Sequence, residues 1–228
     1  MEEIWYGLVK AFELLVSLDP ELLEIVGRSL RISAAATLIA AVICIPIGSL
    51  IHFHTFAGKR FLINLIQTFY SIPTVVVGLF IFVLFSRAGP LGDFQLLFTS
   101  TIMVVGQVIL IIPILTGLAI SAFSGVDKTI VDTARSLGAS GFQTTFAIMR
   151  EARFAVMAAI ILGFGRAISE VGLALMVGGN IKGFTRVITT AISLETSKGD
   201  IVLSIALGIV LIVIALAINI VLNRIQQR

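Results

Sequence analysis

Long runs of apolar residues without a formal charge constrain the fold of this chain more than any other feature. The first run, from Ile32 to Phe53, would form a helix of about 33 Å at a rise of about 1.5 Å per residue. The hydrocarbon core of a bilayer is about 30 Å thick. Because hydrocarbon offers the backbone no hydrogen-bond partners, a run of this length predicts a membrane-spanning helix.

Four further runs have the same character. They are Phe61 to Ser86, Leu96 to Ala122, Phe154 to Val177 and Ile201 to Leu222. Only 13% of the residues are charged, whereas a soluble domain has about 25%. The sequence therefore predicts an all-α, multi-pass protein of the cell membrane with about five transmembrane helices.

The N-terminal segment, residues 1–24, differs from these runs. Its apolar part, Ile4 to Leu18, contains Lys10 and Glu13 and is shorter than one crossing. This pattern favours an amphipathic helix lying on the membrane surface, with a sixth span as the alternative. We therefore divide the chain into this segment and a membrane domain over residues 25–228.

Three prolines fall inside predicted spans, at Pro46, Pro73 and Pro113. A proline removes one amide donor and clashes with the preceding turn, which bends a helix. Ser71, Pro73 and Thr74 are therefore candidates for the wall of a pathway. The alternative is that prolines are simply more frequent in membrane helices.

Residues 126–153 form a polar connection too long for a simple hairpin between two spans. Its first part has apolar or small residues at helical spacing, which predicts a short amphipathic helix. Gly138 can end that helix in a left-handed conformation, and Ser140 with Gln143 forms a capping box that begins a second helix. The pattern alone leaves open an interfacial helical hairpin resting on lipid.

The residue identities in this loop add a resemblance. The segment from Asp132 to Ser140, followed by Ile148, resembles the signature loop of binding-protein-dependent ABC importer permeases. That loop has an acid, a small residue, Ala, three residues, Gly and, after nine more, Ile. Asp132 here replaces the usual Glu, and Arg150 and Glu151 stand where Leu and Pro are common.

The resemblance implies a type I ABC importer permease fold and a cytoplasmic position for residues 126–153. The helix over residues 141–148 would be the coupling helix, docked on a separate cytoplasmic ATPase. The residues assigned to coupling on this basis are Asp132, Ala134, Gly138, Ala139, Ser140, Phe142, Phe146 and Ile148. The implied partners are a second copy of the chain, two ATPase subunits, an external binding protein and the lipid bilayer.

A second resemblance follows the fourth predicted span. The segments 165–172 and 178–183 resemble the molybdate and tungstate branch of these permeases, and the stretch to Thr190 is closer to tungstate permeases. This implies a tetrahedral oxyanion as the substrate. It leaves the choice between tungstate and molybdate open.

Arg166 and Glu170 are the only formal charges in the fourth predicted span. They are four residues apart on one helix face, so they can pair and lower the cost of a charge at membrane depth. The pair is either purely structural or part of the pathway wall or dimer seam. The resemblance adds Gly179 and Asn180 to the pathway candidates.

Several functions are excluded by what the sequence lacks. Cys44 is the only cysteine, so no intrachain disulfide or cysteine metal cluster is possible. The basic residues are scattered rather than clustered, which argues against nucleic-acid binding. An intramembrane enzyme would need a second carboxylate near Glu170 or a histidine cluster, and no phosphate-binding loop is present. We expect no cofactor, no metal and no ATPase activity; a passive anion channel or a permease for another solute remains the alternative.

Overall fold

The computed structural model describes residues 2–226, and this part of the chain contains helices and turns but no strand. The helices, in chain order, are α1 (Glu2–Val16), α2 (Pro20–Phe53), α3 (Lys59–Thr68), α4 (Thr74–Phe85), α5 (Ser100–Ser124), α6 (Lys128–Ser136), α7 (Gly141–Glu151), α8 (Arg153–Ile168), α9 (Gly172–Gly178), α10 (Ile188–Lys198) and α11 (Ile201–Gln226).

Three of these helices, α2, α5 and α11, are each long and apolar enough to cross a membrane. They correspond to the first, third and fifth predicted spans, which are confirmed. Helix α5 begins at Ser100 rather than near Leu96, because Thr99 occupies the cap position and its side-chain oxygen accepts a hydrogen bond from the amide of Ile102. Pro46 and Pro113 lie within α2 and α5 without ending either helix.

Helix α2 begins twelve residues before the predicted start at Ile32, so that boundary was wrong. The carboxylate of Asp19 accepts a hydrogen bond from the amide of Leu22 at 2.9 Å, and a proline occupies the first helical turn. Arg28 fits inside the helix because its guanidinium pairs with Glu24 one turn earlier. The predicted division after residue 24 therefore falls within α2.

The second and fourth predicted spans are each broken into two helices. A bend in the second span was predicted at Pro73, whereas none was predicted in the fourth. Helices α3 and α4 meet at an angle of 93°, and α8 and α9 at 58°. At the first break Ile72 is extended, as expected for a residue before Pro73. With each bent pair taken as one span, the count reaches the predicted five.

The core of the bundle is the contact between α2 and α5, which depends on small side chains. Ala36, Ala40 and Cys44 of α2 are fully buried. A Cβ atom added at Gly48 would lie 2.8 Å from the Cβ atom of Ala119 and 3.3 Å from the carbonyl oxygen of Thr116. The two backbones approach this closely only because Gly48 has no side chain.

Helix α1 packs against α11 through its own small residues. Gly7 and Ala11 are its buried positions, and a Cβ atom added at Gly7 would lie 2.5 Å from a side-chain carbon of Ile205. Trp5 and Phe12 are exposed. The N-terminal helix is therefore attached to the fifth span, and its surface-lying position stays a prediction.

The α2–α5 contact predicts that Gly48→Ala lowers the stability of the folded chain by about 1–3 kcal/mol, because the rigid Ala119 side chain must move to admit a methyl group. Thermal unfolding in detergent measures the effect. Gly208→Ala in α11 is the matched control, since no atom lies within 4 Å of a Cβ there. Adding Ala119→Gly to Gly48→Ala should recover part of the loss. Equal melting temperatures for the Gly48→Ala and Gly208→Ala variants would contradict this packing.

Candidate functional site

The loop between α5 and α8 has the predicted helix, break and helix. Gly138 adopts the left-handed conformation, with φ +79°. The side-chain oxygen of Ser140 accepts the amide of Gln143 at 3.3 Å, and the side-chain oxygen of Gln143 accepts the amide of Ser140 at 2.8 Å. The capping box is therefore confirmed. It fixes the direction in which α7 leaves the break.

Asp127 caps the start of α6. Its carboxylate accepts hydrogen bonds from the amide and the hydroxyl of Thr129, both at 2.8 Å. These two bonds hold the pKa of the Asp127 carboxyl below its usual value. The cap is therefore complete at neutral pH, and it is lost only as the pH falls through this lowered pKa.

The loop exposes three large apolar side chains, Leu137, Phe142 and Phe146, which we call the apolar coupling patch. Their exposed fractions are 83%, 82% and 63%. The sequence pattern placed Leu137 on the apolar face of the first helix and missed it as a contact residue. Its position immediately before Gly138, in the turn between two helices, was the available signal.

The other coupling candidates differ in exposure. Ile148 is only 6% exposed, so it anchors α7 to its own chain instead of facing outward. The exposed candidates are Asp132, Gly138 and Ser140, and the half-buried ones are Ala134 and Ala139.

The two broken spans lie against each other. A Cβ atom added at Gly172, the first residue of α9, would lie 3.0 Å from the hydroxyl oxygen of Thr74, the first residue of α4. The break that contains Ser71 and Pro73 is therefore next to the break between α8 and α9. The structure brings together two sets of pathway candidates that are about 100 residues apart in the sequence.

Arg166 and Glu170 form the predicted ion pair, with 2.7 Å between Nη1 and Oε2. The other carboxylate oxygen, Oε1, accepts the amide of Leu173 at 3.0 Å and so caps the start of α9. The Glu170 side chain is 3% exposed, whereas the Arg166 side chain is 36% exposed. One carboxylate thus connects the cation to the break.

Gly179 and Asn180 end α9, both in left-handed conformations with φ +69° and +51°. The amide nitrogen Nδ2 of Asn180 donates to the carbonyl oxygen of Thr190 at 3.2 Å. The hydroxyl of Thr189 donates to the carbonyl oxygen of Glu170 at 2.8 Å. The first turn of α10 therefore holds both ends of α9, with Asn180 at the opposite end from Glu170.

Two buried polar residues at the breaks were missed in the sequence. Nε2 of Gln107 donates to the carbonyl oxygen of Ala167 at 3.2 Å, beside the end of α8. The hydroxyl of Thr185 accepts the amide of Ile181 at 3.0 Å and donates to the carbonyl oxygen of Gly178. Gln107 could have been identified as a site residue because it is a single amide side chain within the uncharged run that forms α5.

The remaining residues with reactive side chains have local roles. The thiol of Cys44 is fully buried and lies 3.4 Å from the carbonyl oxygen of Ile112. Nδ1 of His52 lies 3.2 Å from the hydroxyl oxygen of Ser124. Within residues 2–226 no group of three histidine, cysteine, aspartate or glutamate side chains could hold a metal ion.

These features define a class of protein, a helical membrane permease with two broken spans and an exposed helical loop for a partner. Residues 32–228 match the family described as binding-protein-dependent transport system inner membrane component, and the chain belongs to this family. It is therefore a multi-pass permease subunit of an ATP-driven importer in the cell membrane. The resemblance read from the loop is confirmed.

Relatives extend the match to the whole chain. The tungstate uptake system permease protein TupB of Peptoclostridium acidaminophilum is 42% identical over 227 residues, covering all of both chains. The probable anion ABC transporter permease protein of Haloferax volcanii is 40% identical over 91% of each chain. A chain of the MetNI methionine ABC transporter, in an inward-facing conformation, has a TM-score of 0.73 and 17% identity over 90% of this chain and 94% of its own length. This last similarity shows the fold.

The buried carboxylate predicts that Glu170→Gln is more damaging than Arg87→Gln. The first change leaves Arg166 without its counter-charge at membrane depth, at a cost of about 3 kcal/mol. The second alters an exposed loop residue. Thermal unfolding and transport in reconstituted vesicles measure both variants. Equal stability and equal transport would show that the ion pair does not hold the α8–α9 break.

Proposed function

We propose that the chain is the permease of an importer for a tetrahedral oxyanion, tungstate in the first place and molybdate in the second. The observation that carries this proposal is the full-length similarity to a relative named for tungstate uptake. A second relative, from Haloferax volcanii, is named as a probable anion permease. The two anions have nearly the same size and charge, so the choice between them belongs to the external binding protein.

The proposed coupling depends on the way α7 continues into α8. Ala152, which is 3% exposed, is both the last cap of α7 and the first cap of α8, so no flexible linker separates them. Thr144 and Ile148 attach α7 to its own chain, while Phe142 and Phe146 face outward. A cytoplasmic ATPase that holds the apolar coupling patch would therefore move α8 directly as it closes on ATP.

The proposed orientation places this loop in the cytoplasm. The side chain of Gln226 at the end of α11 donates to the carbonyl oxygen of Phe154 at 2.8 Å, so the end of α11 lies beside the start of α8. On the opposite side, Lys182 pairs with Glu21 at 2.7 Å, which joins the segment after α9 to the start of α2. This outer side is where an external binding protein would deliver the anion.

We further propose that the two breaks line the pathway and that two copies of the chain enclose it. The pathway residues would be Ser71, Pro73, Thr74, Arg166, Glu170, Gly179 and Asn180. Backbone that leaves the helical ladder at membrane depth is tolerated where it is buried in protein or lines a water-filled cavity. Both breaks meet this condition if they face a pathway between two copies.

Reconstitution tests the proposed function. The purified chain, its ATPase and the binding protein are placed in vesicles, and uptake of labelled tungstate is measured with and without ATP. We expect uptake that requires all three components and ATP. Uptake by the chain alone without ATP would indicate a passive anion channel, and uptake of neither tungstate nor molybdate would refute the oxyanion assignment.

The proposed pathway between two copies predicts a homodimer, since one chain of about five spans encloses too little space. Native mass measurement of the complex with its ATPase reports the stoichiometry. We expect two permease chains and two ATPase subunits. A complex with a single permease chain that still transports would refute this arrangement.

The coupling proposal predicts that Phe142→Asp and Gly138→Val uncouple uptake from ATP hydrolysis. Phe142→Asp places a charge in an apolar contact, at a cost on the order of a few kcal/mol in binding to the ATPase. Gly138→Val opposes the left-handed break, at φ +79°, that directs α7. ATPase binding and tungstate uptake are the measurements.

Both variants should insert and dimerise normally, because their side chains lie outside the spans, yet bind the ATPase weakly or fail to drive uptake. Ile212→Leu, an exposed position of α11, is the control and should change neither quantity. Full ATPase binding and full uptake by Phe142→Asp would mean that this loop rests on lipid rather than on the ATPase.

A further inference from the structure

Arg166 is the only basic residue within the five spans predicted from the sequence. Among the five predicted spans, which together hold most of the membrane domain, Arg166 and Glu170 carry the only formal charges. Arg166 lies about 20 Å along the helix axis from the start of α8, at about 1.5 Å per residue. An arginine side chain is too short to reach the cytoplasmic interface from there.

The carboxylate of Glu170 is fully occupied within its own chain. Oε2 contacts Nη1 of Arg166, and Oε1 accepts the amide of Leu173. The guanidinium, which has five N–H donors, uses one of them in the hydrogen bonds of the described residues. Its side chain is 36% exposed, so the remaining donors lie at the surface of this chain.

On the exposed side of α8, Arg166 lies between Leu162, an exposed apolar residue one turn earlier, and small residues toward the α8–α9 break. Gly165 precedes it, and Ser169, one turn later, is exposed. The hydroxyl of Ser169 donates to the carbonyl oxygens of Gly165 and Arg166 and so lies close to the helix backbone. The free side of the guanidinium is therefore open to another molecule.

The exposed side of the Arg166 guanidinium could face lipid, a second copy of the chain or water, and the first two are unfavourable. Lipid would leave a cation facing hydrocarbon, which membrane proteins avoid. A second copy of the chain brings no free carboxylate from the five predicted spans, because Glu170 is the only acid in them and is 3% exposed. The two acids at the start of α2 are already paired, Glu24 with Arg28 and Glu21 with Lys182. The third is a water-filled pathway.

We propose that the Arg166 guanidinium is a direct contact for the oxyanion as it crosses the membrane, and that Glu170 is the positioning residue that holds it. This inference rests on the proposed function. A guanidinium presents parallel N–H donors that match two oxygens of a tetrahedral anion. Two copies of the chain would present two guanidiniums to the dianion, each with N–H donors that its pair with Glu170 leaves free. The carboxylate behind each guanidinium weakens the attraction, which allows the anion to leave.

Neutralising the pair tests this contact. Arg166→Gln combined with Glu170→Gln removes the cation without leaving an unpaired carboxylate, and Gln at position 170 retains an oxygen for the amide of Leu173. We expect normal assembly, with tungstate uptake reduced about tenfold or more. The control is Lys10→Gln combined with Glu13→Gln, which removes an exposed pair of α1 and should leave uptake unchanged. Arg166→Lys keeps the charge, and its uptake should lie between those of the wild type and the neutral pair.

A cysteine-labelling experiment tests the same contact if the double glutamine variant fails to assemble. Cys44 is the only cysteine and is fully buried, so the wild-type chain should not react with a water-soluble methanethiosulfonate. In a Cys44→Ala background, Arg166→Cys should react with the sulfonatoethyl reagent, and tungstate should slow that reaction. The aminoethyl reagent, which restores a cation, should recover part of the uptake, whereas the methyl reagent should not.

The outcomes separate this inference from the proposed function. Wild-type uptake of tungstate together with undiminished uptake by the neutral pair would overturn the contact and leave the importer assignment standing. The same holds if Arg166→Cys is unreactive, or if the methyl and aminoethyl reagents have equal effects on uptake. Absence of tungstate and molybdate uptake in the wild type would overturn both.

Discussion

Hydrocarbon offers no hydrogen-bond partner to backbone N–H and C=O groups that lie outside a helix, so leaving them unpaired costs free energy. The two broken spans of this permease therefore depend on groups that replace the missing hydrogen bonds. At the α8–α9 break, Glu170 supplies the missing acceptor for the first turn of α9 and also holds Arg166. Thr189 binds the carbonyl group of Glu170 from α10. A buried carboxylate and one hydroxyl thus stabilise the break beside which Arg166 lies.

Helices α2 and α8 are connected to the rest of the chain in different ways. Helix α2 packs closely on α5 through Gly48 and Ala119, and its start is held by Glu21 and Arg28, which bind the segment after α9. Helix α8, in contrast, continues directly from α7 through Ala152. In the proposed coupling, a movement of the loop would reach the α8–α9 break through one nearly continuous helical path, while α2 and α5 stay packed together.

The Arg166–Glu170 ion pair has two properties that follow from this arrangement. The pair is neutral as a whole, which makes it compatible with an apolar bundle. Its two members are nevertheless unequally buried, so the chain presents the positive end outward. In the proposed pathway the first property keeps the bundle stable, and the second leaves the guanidinium accessible to the anion.

Local sequence determined the spans and the loop, and tertiary contacts decided where the spans break. The uncharged runs are long enough to require membrane helices, and Gly138 with the Ser140–Gln143 box acts within a few residues, so these features were predictable. The bend at Pro73 was predictable in part, since a proline indicates the position of a bend but not its angle. The second break contains no proline: it depends on Glu170, on Thr189 and on the contact of Gly172 with Thr74. The early start of α2 was signalled locally by Asp19, by the proline after it and by the Glu24–Arg28 spacing, and it was missed. The exposure of Arg166 could not be predicted, because burial follows from packing among helices that are distant in sequence.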